Sequence, residues 1–410
     1  MSKLFTDEVE DGDEMTMLVC QWLEERGFEQ SLETLQRDSG KTYNASCVKM
    51  GSQLTTIYND YLDLQVSAQL NGMTIDNESE IDDDLKFAAD STVSYPHTLE
   101  KDLTHVHSQN ILALRFAAIQ ESTLLVSAST DKTIKVIDAA TYEVLNTFVD
   151  LALAPFISLD FNPIHPNLLL ASSVDGSTVL LEISNDGKDG KVLQQFKNHV
   201  KYVVRARWSP CGTKFATCSY DKTLCLYTLS NQDQWQFNMI KSFEFQFNLE
   251  SLIFTPDSKK VITACRETNY LQYIDTEDFS IEKYNMNSNG DDHVSFSAME
   301  FSITPNQKYL LVSTDRNRLI LFKLHSDQQL RNFYGAFNDE FVTTRNTFNL
   351  SGNFVYSTSQ DNNIYVWDIS TQKIVSKLKS HTSSIRDLTI HPTLGWLASC
   401  SFDKKICLWK

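Results

Sequence analysis

TCSYDKTLCLYTL, residues 217–229, and SCSFDKKICLW, residues 399–409, are two versions of one phrase. Each opens on a small residue, Cys, Ser, an aromatic, Asp and Lys, and each runs on to Cys, Leu and an aromatic. Aligning the chain on that acid finds Asp131, Asp175, Asp221, Asp315, Asp361 and Asp403, with Glu267 filling the one gap, at spacings of 42 to 48 residues. Six places after each acid stands an apolar or aromatic residue: Ile137, Leu181, Tyr227, Tyr273, Leu321, Trp367 and Trp409. A self-similar period of this length over seven units is the signature of a repeat architecture, and it outweighs any isolated motif.

The unit is clearest in HTSSIRDLTIHPTLGWLASCSFDKKICLW (381–409): a His, an alternating apolar run, a Pro-containing turn, a small-residue strand, an Asp-Lys turn and a last strand. Three short strands separated by turn chemistry are legible per unit. The chain resembles the WD-repeat β-propeller family at these residues. NIYVWDI (363–369) contains the Trp-Asp pair, and His107, His199 and His381 stand in the family's histidine place. The resemblance implies an all-β, seven-bladed propeller over 92–410. It departs from the family pattern in lacking the Gly before each His, in keeping the Trp only at Trp367 and Trp409, and in Glu267. It also implies structural roles for His107, Asp131, His199, Asp221, Asp361, Trp367, His381, Asp403 and Trp409, as a buried chain of His, strand Ser or Thr, turn Asp and Trp. Satisfied buried polar groups of this kind fix strand register.

A propeller blade needs four strands, and the final unit supplies three before Lys410. TVSYPHTLEKDL (92–103) precedes His107 as other outer strands precede His199 and His381, so it is expected to pair with the last unit, closing the ring and covering an aggregation-prone edge.

Ahead of the propeller, residues 15–40 show helical periodicity broken at Gly27. This stretch, taken as 14–40, looks like a LisH (lissencephaly-homology) motif, a small helical dimerisation element. Two short helices bury little apolar surface alone, so Leu18, Trp22, Phe28, Leu32 and Leu35 are expected to pack on a second copy or on the helix that follows. That helix is read within 44–70, where Leu54, Ile57, Tyr61 and Leu64 form a coiled-coil seam, either between two chains or against the first helices. Residues 71–91 are polar and acidic, as a flexible linker would be.

The formal charge is −17, and most of it lies before the repeats. No basic nucleic-acid footprint is present. No signal-peptide pattern and no long apolar stretch occurs, so the expectation is a cytoplasmic or nuclear protein with no membrane and no direct nucleic-acid contact. Eight Cys form no CxxC pair, and no phosphate loop, nucleophile elbow or metalloprotease motif appears. No enzyme activity, metal or cofactor is expected.

What remains is recognition. The resemblance places partners on the end of the ring where the Asp turns gather, reached by the residue three after the His and the residue before the Asp. Tyr202, Tyr220, Arg266, Arg386 and Phe402 are the partner-binding candidates, since aromatics and Arg dominate interface energetics. The expected function is a non-catalytic scaffold subunit of a multiprotein complex, self-associating through the LisH segment as a homodimer or tetramer and presenting propeller faces to protein or peptide partners. Alternatives are a chromatin- or histone-binding corepressor-type subunit and a substrate-recruiting subunit of a ubiquitin ligase.

Overall fold

Leu124–Ser129 (LLVSAS) and Leu168–Ser173 (LLLASS) are buried at every residue. A strand that loses its polar alternation in this way is covered on both sides of its sheet, and stacked blades supply that cover. The computed structural model describes residues 14–43, 95–117, 119, 123–287, 290, 292–294, 296–338 and 344–410. It divides the chain into an N-terminal unit, 1–83, and a second unit, 84–410.

The second unit contains seven antiparallel four-stranded sheets, the blades of a propeller. Blades one to six are simple meanders within 111–148, 156–196, 203–244, 249–285, 298–334 and 346–379. Blade seven takes three strands from one end of the sequence, Ile385–Ile390, Leu397–Ser401 and Ile406–Trp409, and its outer strand, Leu99–Leu103, from the other. That strand runs antiparallel to Ile406–Trp409, with Leu99 opposite Trp409 and Leu103 opposite Ile406. It is shorter than the 92–103 segment expected, of which 92–94 lie outside the described residues. The N–H groups of His97 and Thr98 extend the pairing by donating to the Lys410 carbonyl at 3.1 and 2.9 Å.

The core is not a single centre. Seven apolar clusters each lie between two neighbouring blades. Between blades seven and one, Leu103, Val106, Ile111 and Leu114 pack with Ala398, Cys400 and Leu408. Between blades two and three the filling is aromatic: Phe215 stacks on Tyr227 at 4.4 Å and meets Trp208 edge-on at 5.4 Å. The small strand residues seen in the sequence, such as Ala216 and Cys218, lie on the other side of this sheet, in the cluster between blades three and four. Cys218, Cys225, Cys400 and Cys407 are reduced and buried.

Turn chemistry sets the blade ends. Lys132, Lys222, Asn362 and Lys404, each directly after its Asp, hold positive φ between 63 and 71°. In blade two the place is taken by Gly176, at φ +87°, where a Cβ would stand 2.4 Å from the His199 carbonyl oxygen. Blade four differs. The alignment sets Glu267 level with the other acids, but here Ala264 pairs with Leu271 whereas in blade three Cys218 pairs with Leu224, so the turn is one residue longer. Glu267 itself takes the positive φ, 58°, and is exposed, so it is no equivalent of the turn aspartates.

In the N-terminal unit, helices Glu14–Glu25 and Glu29–Ser39 flank Gly27 at φ +72°. Gly40, also left-handed, ends the second helix by donating its N–H to the Gln36 carbonyl, the usual stop. The proposed seam residues Leu54, Ile57, Tyr61 and Leu64 and the acidic stretch 71–91 lie outside the described residues.

Candidate functional site

Each blade's first strand starts, and its second strand turns, at the same end of the ring, so the loop before strand one lies beside the Asp turn. In blade seven, His381 Nδ1 lies 3.0 Å from Asp403, its Nε2 lies 2.8 Å from Ser399 Oγ, and the Trp409 indole donates to that same Oγ at 3.1 Å. Blade one repeats the chain as Asp131–His107–Ser127, and blade three as Asp221–His199–Thr217. An ionised carboxylate only accepts, so each Nδ1 carries the proton. The aspartates also accept backbone N–H groups of the loop: Ser108 on Asp131, Leu153 on Asp175, Val200 on Asp221, Ser297 on Asp315 and Thr382 on Asp403. This clamp works in blades that lack a His, and it holds the loops that form the face.

In blade six the chain is absent: Asp361 accepts from Tyr365 at 2.8 Å and the Trp367 indole donates to the Tyr334 carbonyl. Asp361 acts within its own blade, whereas Trp367 ties blade six to the outer strand of blade five.

Burial lowers the pKa of His107 and His199 from 6.5, with Asp131 and Asp221 offsetting part of the effect. Through that interval the unfolded chain binds more protons than the folded one, so this stabilisation is intact above about pH 6.5 and is lost as pH falls. The melting temperature should drop between pH 7.5 and 5.5, and less so in a His107→Gln, His199→Gln variant. A flat profile over that range would refute a neutral buried imidazole.

The five partner-face candidates divide into two groups. Tyr202 and Tyr220 stack at 4.4 Å; Tyr220 donates to Glu250 at 2.7 Å, and Arg266 meets the same carboxylate at 3.3 Å. In blade seven the Arg386 guanidinium lies 5.0 Å from the Phe402 ring centre. Tyr220 and Phe402 each donate a backbone N–H to the loop residue that shares the face, Tyr202 and Ser384. Around the tyrosine pair the face exposes apolar residues, Val200 at 87% and Leu153 at 78% with Val174 and Tyr202, interspersed with Lys201 and Lys222. The Gly176 contact with His199 joins the blade-two and blade-three parts of this patch.

Of the residues assigned to self-association, Leu18 is already buried within the single chain. Trp22 packs on Phe28 at 5.8 Å, and Phe28 is itself half-exposed. The second helix, with Leu32 and Leu35, buries none of its residues.

Sequence reasoning missed the charged lining of the channel. The first strands place Arg115 on Asp387 at 2.9 Å and Arg205 on Glu300 at 2.6 Å, with Arg345 and Arg207 on the same Glu300 at 3.2 and 3.5 Å. The signal was there in VVRARW (203–208), where charge alternates with apolar residues as it does on a strand with one wet face.

The family model described as "WD domain, G-beta repeat" matches residues 99–138, 190–228, 328–368 and 372–410. Each match begins on the outer strand of one blade and ends on the third strand of the next, the same offset that leaves Leu99–Leu103 to finish blade seven. Over 213 residues the chain is 23% identical to a WD repeat-containing protein 26 homolog of Arabidopsis thaliana, covering 50% of this chain and 33% of that protein. It is 26% identical to WD repeat-containing protein 82 of Drosophila melanogaster, covering 52% and 64%. A shorter match, 30% over 83 residues, links it to a U5 small nuclear ribonucleoprotein 40 kDa protein of Dictyostelium discoideum, covering 20% and 23%. The chain spans less than two thirds of the length of each of these relatives. With four repeats matched in blades one, three, six and seven and three divergent ones completing the same ring, the chain is a WD-repeat β-propeller protein.

Proposed function

We propose that the protein is a non-catalytic scaffold subunit that self-associates through its N-terminal helices, in the manner of a LisH element, and presents the Asp-turn face of each propeller to a protein partner. The observation that carries this reading is the apolar patch of Leu153, Val174, Val200 and Tyr202 around a tyrosine pair anchored on Glu250. Exposed apolar area gathered in one place on a rigid face marks an interaction surface, and Tyr is an interface anchor type. The buried His and Asp groups behind the face are taken up in hydrogen bonds that hold loops. Self-association is supported by the second helix, whose Leu32 and Leu35 are only half-buried among the described residues. Two modest face contacts joined through one dimer gain avidity by effective concentration.

Light scattering tests the first half: the full chain is expected at twice the monomer mass, and a Leu32→Asp, Leu35→Asp variant and a chain of residues 95–410 at monomer mass. A photo-crosslinking residue at position 202 tests the second, by trapping in cells a partner that the same probe at Val192, on an outer strand, does not trap. A monomeric full chain refutes the dimer, and identical adducts at both positions refute the face.

A further inference from the structure

At the opposite end of the ring, away from the Asp turns, the loops between first and second strands surround a cavity of about 710 Å³. Its lip is apolar: Pro163, Pro210, Pro305, Leu350 and Pro392. Its floor is charged: Arg115, Arg207 and Arg345 with Asp160, Glu300 and Asp387. A volume in the range of ligand pockets, with an apolar wall and few convergent polar groups, has the form of a binding site.

The floor is short of negative charge. Arg205 lies buried on Glu300, 1% exposed, and adds a fourth guanidinium to three carboxylates. Glu300 alone serves Arg205, Arg207 and Arg345, while Asp160 stands 3.9 Å from Arg207. The arginines feel the deficit: burial and then Arg205 lower the Arg345 pKa to about 9, and burial and then Arg115 lower that of Arg207. Burial raises the Asp160 carboxyl pKa, which weakens a countercharge.

Two buried polar atoms of cavity-lining residues have no hydrogen-bond partner among the described residues. Arg345, 6% exposed, leaves its Nε–H unused, and Asn346, 7% exposed, leaves its Oδ1 unused. A buried donor and acceptor left unmade each carry a desolvation cost that a ligand can remove. The donor suits an anion, and the acceptor suits a backbone N–H.

We propose that this cavity is a second binding site, for a peptide that sets one carboxylate side chain onto Arg345 and Arg207 and lays apolar neighbours on the proline and leucine lip. The guanidiniums on the floor outnumber the carboxylates and call for an anionic group. The lip favours apolar flanking residues, which a free anion does not have. The site is separate from the Asp-turn face, so either can fail without the other.

The test selects phage-displayed random octapeptides on the full-length protein and measures the affinity of an enriched peptide by fluorescence anisotropy. The expected peptides carry one Asp or Glu beside apolar residues. Replacing that acid by its amide should weaken binding about tenfold or more, from the loss of a charge-assisted contact. Leu350→Asp, at a position 43% exposed where folding is tolerant, should weaken it comparably, with an unchanged melting temperature, while Val192→Asp should not. Millimolar inorganic phosphate should fail to displace the peptide. Failure to enrich any peptide means that water alone fills the cavity. That outcome overturns the proposal, as does an acid-free consensus, an amide that binds equally, full binding to Leu350→Asp, or displacement by phosphate.

Discussion

A chain beginning at residue 105 should lose soluble expression or melt far below one beginning at residue 92. The segment removed spans three blades. Tyr95 packs on Phe354 at 4.4 Å and Pro96 accepts from Tyr356, both of blade six; Leu99–Leu103 finishes blade seven; Leu103 joins the cluster shared with blade one. Losing the strand removes several backbone hydrogen bonds at about 1 kcal/mol each and opens Ile406–Trp409, buried throughout, as a free edge. The total, on the order of 5 kcal/mol, is comparable to the whole stability of many folded domains. Heating both chains and following near-UV circular dichroism decides the matter. Equal melting temperatures would mean that the ring holds together through its other blade contacts without this strand.

Glu300→Ala should be the most damaging single substitution in the channel. It leaves Arg205, Arg207 and Arg345 buried with no shared carboxylate, and it also strips Ser251 of its acceptor at 3.0 Å. Breaking a buried pair from one side costs about 3–5 kcal/mol, which for a ring of this size corresponds to roughly 10 °C of melting temperature. Glu300→Leu with Arg205→Met should recover part of the loss, since apolar replacement of both partners leaves fewer buried charges unmatched. Burial by itself would raise the Glu300 carboxyl pKa, but Arg205, Arg345 and Arg207 outweigh it and hold the group well below the ordinary value of 4.5. A depressed folded pKa stabilises above the unfolded value and is lost as pH falls through the folded one, so this contribution is whole at neutral pH and fails only in strong acid. A melting temperature within about 2 °C of the parent protein would show that the cluster does not depend on this carboxylate.

The truncation and the substitution separate what the sequence displays from what it hides. The blade number, the His–Asp chains of blades one, three and seven and the need for an outer strand from elsewhere were all legible, because each recurs at one period and repetition lifts a local pattern above chance. Glu300 was not legible. A charged residue on an alternating strand reads the same whether it faces bulk water or a narrow channel, and its partner Arg205 stands 95 positions away. Only ring closure brings the two together. The longer turn at Glu267 was hidden for a different reason: a one-residue insertion between strands changes no hydrophobic pattern, and counting from neighbouring acids slides past it. On the Asp-turn face, Tyr202 and Tyr220 were found by position, whereas Glu250, which ties Tyr220 to Arg266, belongs to the next blade's first strand and shares no repeat place with them.

Leu99–Leu103 and Ile406–Trp409 are neighbours in blade seven but are made at very different moments. At a ribosomal rate of about 5–20 residues per second, the roughly 300 residues between them take on the order of 15–60 s to synthesise. For that time every nascent chain exposes an unpaired strand, already out of the ribosome, whose only native partner has yet to be translated. Cellular chaperones that guard bare strand edges therefore have their longest window on this segment, and the emergence of Ile406–Trp409 decides when the window shuts.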